Sequence, residues 1–402
     1  LVPSFKTSRL RELPLDVTTE GLNRPIPLVA RSENVPVLLP VLPSADQLLP
    51  YLRRIDGSQI YSNHGPLVLE FERRLATHFA LPGGSVASAS SGTAALVGAI
   101  LGVAGRARVD RPLALMPAYT FLGTAAAAEQ CGYQPFFADV DRATWMLDPQ
   151  RLLHLPERGR IGVVVVVAPY GRAVPQAAWR MFQQQTGIPV VIDGAASFEA
   201  VSAAPAQCFG EIPVALSFHA TKSFATAEGG AVVSSDTAIT HAAMQALNFG
   251  FSGDRNSRVA SINGKLSEYH AAIGLAELDA WSQKRLALHR VIGSYRSQLQ
   301  AKGLAGRLFA APDFSSCYAL FRSDGLLEAQ KIKDSLDRHQ VGYRLWYGLG
   351  LHHHDYYTTA LRERLAVTDD IAGCLLGIPA GCNLTETMIA TVVAALAAAV
   401  LP

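Results

Sequence analysis

The sequence predicts an α/β chain, with a large, mostly parallel α/β/α domain followed by a smaller C-terminal α+β domain. Three observations carry this. Five short apolar runs, Leu113–Met116, Gln134–Ala138, Val163–Ala168, Ile188–Ile192 and Val214–Phe218, are continuous rather than alternating, which marks strands covered on both faces. Helix-like segments separate them, the order of a parallel sheet with crossovers. The chain has 402 residues, 49% of them hydrophobic, which is too long for one small core and suits a large domain with a smaller companion.

Residues 1–44 are punctuated by Pro25, Pro27, Pro36, Pro40 and Pro43, and an extended lead-in is expected there. A short helix is predicted from Ser44 to Ile55. A second runs from Pro66 to Phe79, with Leu67, Phe71, Leu75 and Phe79 on one face. The large domain is expected over 45–289. One long helical pattern, Ser267 to Ala301, leads into a second domain expected over 290–402. Its elements are a strand at Cys317–Phe321, a helix at Gly325–His339, a strand at Tyr343–Tyr347 and a closing helix at Thr385–Ala398. Thr385 and Glu386 suit the first turn of that last helix.

Charged residues are 17% of the chain and the net charge is +2. No basic stripe is present, which argues against nucleic acid as a partner. Arg53-Arg54 and Arg73-Arg74 read as solvated helix faces. The five cysteines are odd in number, scattered and without a C-x-x-C pair, the pattern of a reducing compartment and not of a zinc or redox site. No apolar run reaches the roughly 18 residues of a membrane span, and the N-terminus lacks the apolar core of a signal peptide. A cytoplasmic protein with no membrane partner is expected.

Three segments can carry chemistry. Ser90-Ser91-Gly92-Thr93-Ala94-Ala95 follows a small-residue strand and opens a helix. A helix N-terminus offers unpaired N–H groups and a positive dipole end, so this is either a phosphate cradle or an ordinary N-cap. Asp193 ends an apolar strand, where α/β ligands bind; it is either a carboxylate facing a ring nitrogen or a helix cap. Lys222 lies in a loop between two strands, ahead of Glu228-Gly229-Gly230. Desolvated, such a lysine has a lowered pKa and forms Schiff bases; solvated, it is an ordinary surface residue. Ser217, five residues earlier, is a second hydroxyl for the phosphate. The order phosphate loop, strand-end Asp, Lys is the layout of pyridoxal phosphate (PLP) enzymes of fold type I.

The sequence resembles the nucleotide-sugar aminotransferases of the DegT/StrS type from about residue 36 to 400. The matching segments are Tyr61-Ser-Asn-His-Gly-Pro66 with Phe71-Glu72, Ser91-Gly-Thr-Ala-Ala95, Pro117-Ala-Tyr-Thr-Phe121, Asp139-Val-Asp141 with Asp148-Pro149, Tyr170-Gly171, Ser217-Phe-His-Ala-Thr-Lys222, Glu228-Gly-Gly230, and Asn263-Gly-Lys-Leu-Ser-Glu268 with Ala271-Ala-Ile-Gly274. The resemblance implies the PLP-dependent transferase fold of type I and roles for single residues. Lys222 would carry PLP as a Schiff base and, once freed, move the proton. Asp193 would pair with the pyridine nitrogen and Phe121 would stack on the ring, although a core aromatic is the alternative for Phe121. Gly92, Thr93, Ala94 and Ser217 would hold the phosphate. Asn263 would reach the phosphate of a neighbouring subunit, which implies a homodimer. The reaction implied is transamination from L-glutamate to a nucleotide-linked keto-deoxysugar. The rival readings are a PLP-dependent dehydratase or other PLP enzyme on the same frame, and a non-catalytic PLP-binding regulator. Retention of Lys222 favours transamination.

The family commonly has Gln three residues after the strand-end Asp, against the cofactor's phenolic oxygen. Here the position is Ala196, and Ser197 is the candidate replacement. The stretch Arg344 to His354 resembles the family's sugar-nucleotide loop, which makes Tyr347 and His352 candidate substrate contacts. Arg255 and Arg258, in a Gly/Ser/Asn-rich loop, are candidates for a carboxylate or diphosphate, with a solvated loop as the alternative. His352-His353-His354 does not read as a metal site, because adjacent ligands do not easily converge and no carboxylate or Cys motif assists.

Overall fold

A computed structural model describes residues 35–309 and 316–401; of the extended lead-in expected over 1–44, residues 1–34 lie outside them. Eleven strands are described: β1 (Val86–Ala89), β2 (Leu113–Pro117), β3 (Gln134–Ala138), β4 (Ile161–Val167), β5 (Val190–Asp193), β6 (Val214–Ser217), β7 (Gly230–Val233), β8 (Leu308–Phe309), β9 (Ala319–Arg322), β10 (Leu361–Arg362) and β11 (Leu375–Ile378). Eight form one sheet in the order β1-β7-β6-β5-β4-β2-β3-β10, and three form another in the order β11-β9-β8. Only β7 runs antiparallel to its neighbours in the large sheet, so the sheet is mostly parallel as expected.

The five predicted apolar runs are β2 to β6, and their burial explains their composition. Leu113, Leu115, Val164 and Val166 feed one apolar layer. Ala114, Met116, Val163 and Val165 feed the opposite one. Alternate residues of a strand point to opposite faces, so a strand with helices on both sides must be apolar throughout.

Among the described residues, four helices precede β3. Helix α1 (Ala45–Ser58) starts with a capping box in which Ser44 and Gln47 exchange side-chain and backbone bonds. Helix α2 (Pro66–His78) buries the predicted face of Leu67, Phe71 and Leu75. Helices α3 (Gly92–Val103) and α4 (Leu122–Gln130) cover the second face of the sheet. The long helix is Glu268–Ala301, capped by Ser267. The described residues from Val35 onward make one compact unit, and the boundary expected at 289/290 falls inside that helix. The three-stranded sheet packs with the helices Leu326–Arg338 and Glu386–Val400 on a core that includes Tyr295, Phe321, Leu376 and Leu396.

One predicted strand is absent. Tyr343–Tyr347 makes a single bridge, Arg344 to Gly377, and then turns. The Trp346 indole lies over Gly377, where even a Cβ would come within 2.0 Å of its nitrogen. The segment therefore pairs with the edge strand at one position and then turns.

Candidate active site

The site opens at the C-terminal ends of the parallel strands, where ligands bind in open α/β sheets. It is a cavity of about 330 Å³. Its polar lining includes Thr93, Thr124, Asp193, Ser217, Lys222 and Tyr318.

Lys222 sits in the turn joining β6 to β7. Phe218 and Phe224 flank it, both fully buried and 5.3 Å apart edge-to-face. The backbone bonds Phe218 N to Gly229 O (2.8 Å), Ala220 N to Ala227 O (2.8 Å) and Thr226 N to Phe218 O (2.7 Å) close the loop below them. The lysine is half-buried on a rigid base, and its Nζ donates to Tyr318 Oη at 2.8 Å. Burial alone lowers its pKa. Tyr318, Cys317 and the Asp193 carboxylate outweigh that, and the ammonium is held above its ordinary value. The sequence-based expectation of a lowered pKa is thereby corrected: desolvation acts, but partners in the same pocket act more strongly.

Asp193 ends β5 and is 6% exposed. Thr124 Oγ1 donates to its Oδ2 at 2.7 Å, and Ala195 N donates to its Oδ1 at 3.1 Å. Burial raises its pKa against these bonds and against Lys222. A cation facing it reverses that penalty, and a protonated pyridine nitrogen is such a cation.

The phosphate end is built by α3. Ser91 caps it by accepting from Ala94 N at 3.1 Å. Gly92 and Thr93 line the cavity; first-turn amides have no intrahelical acceptor. Ala94 is outside the lining, and its amide is already used by Ser91. Gly92 is required because a Cβ there would lie 2.5 Å from Ser217 Cβ. That closeness is what brings the Ser217 hydroxyl beside the helix start. Phe121, the N-cap of α4, stands 63% exposed on the cavity wall. A cradle of amides, a buried carboxylate, an amine and an exposed aromatic face fit PLP.

Other predicted residues are distributed differently. Tyr347 lines the cavity and stacks on Tyr170 at 4.4 Å. His352 lies outside the lining, buried, with Nε2 2.8 Å from Asp369 Oδ1. Asp369 is a carboxylate that the sequence did not bring to the histidines; it and the ring nitrogens of His352 and His353 lie within 4.8 Å of one another. Arg258 is also outside the lining and pairs with Asp254 at 2.6 and 2.7 Å. Arg255 is exposed in the same loop. Asn263 is exposed, and its Oδ1 accepts from Lys265 Nζ at 2.7 Å. Ser197 is 1% exposed and donates to Arg172 O, so its hydroxyl is unavailable to the cavity. Sequence reasoning missed Thr124 and Tyr318, which lie 69 and 96 residues from the groups they bond.

This frame and site define a PLP-dependent aminotransferase. The chain belongs to the DegT/DnrJ/EryC1/StrS aminotransferase family, whose model matches residues 44–397, and it is an enzyme of the sugar aminotransferase class. It is similar to the Mycobacterium tuberculosis H37Rv protein Rv3402c, with 32% identity over 369 residues, 90% of this chain and 89% of the relative. A dTDP-4-amino-4,6-dideoxy-D-glucose transaminase of Shigella dysenteriae is 31% identical over 248 residues, 60% of this chain and 64% of that one. Among solved structures, DesI in the presence of its TDP-sugar product matches with a TM-score of 0.79 and 27% identity, covering 91% of this chain and 93% of DesI. The sugar aminotransferase CalS13 from Micromonospora echinospora shares the fold, with a TM-score of 0.73 at 22% identity over 90% of this chain and 99% of CalS13.

Proposed function

We propose that this enzyme transfers an amino group from L-glutamate to a nucleotide-linked keto-deoxysugar, in the cytoplasm and as a homodimer, supplying an amino sugar for polysaccharide or natural-product glycosylation. The observation that carries the reading is the convergence of Lys222, Asp193 and the start of α3 on one cavity. The Shigella transaminase and the TDP-sugar in the DesI structure support the substrate class.

Bound PLP supplies an electron sink for the charge left when a proton leaves the amine-bearing carbon. Asp193, dry and fixed by Thr124 and Ala195, keeps the pyridine nitrogen protonated. The Gly92 and Thr93 amides and the Ser217 hydroxyl hold the phosphate, and the helix dipole adds to that attraction. Phe121 offers its face to the ring. Lys222 would anchor the cofactor, and its Nζ, when free, would serve as the base that takes up and returns a proton beside it. Tyr347, on the cavity wall, contacts substrate. Asn263 acts across the interface on the partner's phosphate.

The test has two stages. Adding L-glutamate to the purified holoenzyme should convert the absorbance of the lysine-bound cofactor to that of its amine form. A panel of nucleotide-linked keto sugars should then restore it and yield an amino sugar. Lys222→Ala should abolish the lysine-bound spectrum and lower kcat by about 10²–10⁴-fold. No spectral response to any amino donor would sink the transaminase reading in favour of a regulator.

A further inference from the structure

Tyr318 Oη accepts from Lys222 Nζ at 2.8 Å, and that nitrogen lies 5.2 Å from the centre of the tyrosine ring. As an acceptor, Tyr318 keeps its own proton. Among the described residues that proton has no acceptor: the residue's other hydrogen bond is from its backbone N to Ser316 Oγ. The ring is fixed in place. Trp346 packs edge-on at 5.0 Å and Tyr170 at 5.9 Å. A held, undonated O–H thus stands on the cavity wall beside the lysine nitrogen.

In PLP the phenolic oxygen is on the ring carbon next to the one bearing the carbon that lysine attacks. A lysine nitrogen joined there shares a proton with that oxygen. The group that touches Lys222 Nζ is therefore in reach of the phenolic oxygen, which carries negative charge and calls for a donor. Ala196 lines the cavity with only a methyl group, and the Ser197 hydroxyl is spent on Arg172 O. We propose that Tyr318, placed just before β9 in the three-stranded sheet, donates the hydrogen bond to the cofactor's phenolic oxygen that neither Ala196 nor Ser197 can give. The proposal rests on PLP binding at Lys222 and not on the sugar or the amino donor.

A donor at the phenolic oxygen stabilises its charged form, in which the shared proton has left. Removing the donor makes that proton harder to lose. Asp193, Cys317, Tyr347 and Tyr170 also face this pair, and all four are unchanged in the variants below.

The experiment is a spectrophotometric pH titration of the bound cofactor in the resting holoenzyme. In Tyr318→Phe the midpoint should rise by about one unit or more, about tenfold in proton affinity. Adding Ala196→Gln to that variant should bring the midpoint back down. Ala196→Gln in the otherwise unchanged chain should move it much less, because the oxygen already has its donor; such non-additivity marks a shared partner. A midpoint in Tyr318→Phe equal to that of the parent, or a glutamine effect of the same size in both backgrounds, would overturn the proposal. A chain that titrates as expected but aminates no keto sugar would instead overturn the functional reading alone.

Discussion

Single residues at this site divide by whether a neighbour in sequence announces them. Lys222 and Asp193 were legible because strand ends and glycines mark their places, and the structure brings both to one cavity. Thr124 and Tyr318 carry no local signal; a threonine in a helix and a tyrosine before a strand become part of the site only through folding. The direction of the Lys222 pKa was misjudged for the same reason, since its partners come from distant segments. Gly92 gives a sharp test at this scale. A methyl group there would meet Ser217 at Cβ, Oγ and Cα, at 2.5, 2.8 and 3.2 Å, so backbone as well as side chain has to move. Gly92→Ala should cost about 1–3 kcal/mol of stability by overpacking and weaken PLP binding at least tenfold. Equilibrium dialysis with unfolding of the apoprotein separates the two effects, and a variant with parental affinity would remove Gly92 from the cradle.

At the scale of elements, several acidic residues in the family-like segments turn out to hold helices and strands together. Glu268 is fully buried at the start of the long helix and accepts Leu67 N at 2.9 Å and Val68 N at 2.8 Å. Helix α2 has Gly65 as N-cap and no side-chain cap of its own, so a carboxylate from 200 residues away satisfies its first-turn amides. Asp139 does the same for the helix Ala366–Ala372, accepting Val367 N at 2.8 Å and Thr368 N at 2.9 Å. Glu72 accepts both the backbone and the hydroxyl of Ser88. Helices with strong periodicity, such as α2 and the closing helix capped by Thr385, were readable to within a few residues. These long-range caps were not, because spacing says nothing about where a distant carboxylate lands. Glu268→Ala should lower stability by about 3 kcal/mol, since two buried amides lose a charged acceptor. Glu268→Gln keeps one carbonyl oxygen and should lose about half as much. Denaturant midpoints measure both, and an unchanged midpoint for the alanine variant would show that the cap is dispensable.

On the scale of the whole chain, the sheet order puts the ends of β5 and β6 side by side, which is why Asp193 and Lys222 meet although 29 residues separate them. The mostly parallel sheet followed from the apolar runs. The strand after Lys222 was legible as β7, but its antiparallel direction was not; the two-residue β8 and β10 were not legible either, because so short a segment has no periodicity. Folding also fixes how the protein responds to acid. His64, His78, His270 and His352 all have pKa values lowered from 6.5 chiefly by burial. Each binds a proton more readily unfolded than folded, so stability is full above the unfolded value and is lost as pH falls from about 6.5 through the folded values. Glu72, Glu277 and Asp193 are shifted upward by burial. They act in the opposite sense, over the window between the ordinary carboxyl range and their raised values. The histidine contribution is therefore read from a variant. His78 lies face-on to Phe198 at 5.3 Å, with Nε2 3.0 Å from Ser202 Oγ, and its ring also faces Glu199 and Arg285 electrostatically. In His78→Gln the fall in unfolding free energy between about pH 7 and pH 5.5 should be shallower than in the parent, because one proton-linked group is gone. Parallel curves for parent and variant would show that His78 titrates alike in both states and that its burial carries no acid sensitivity.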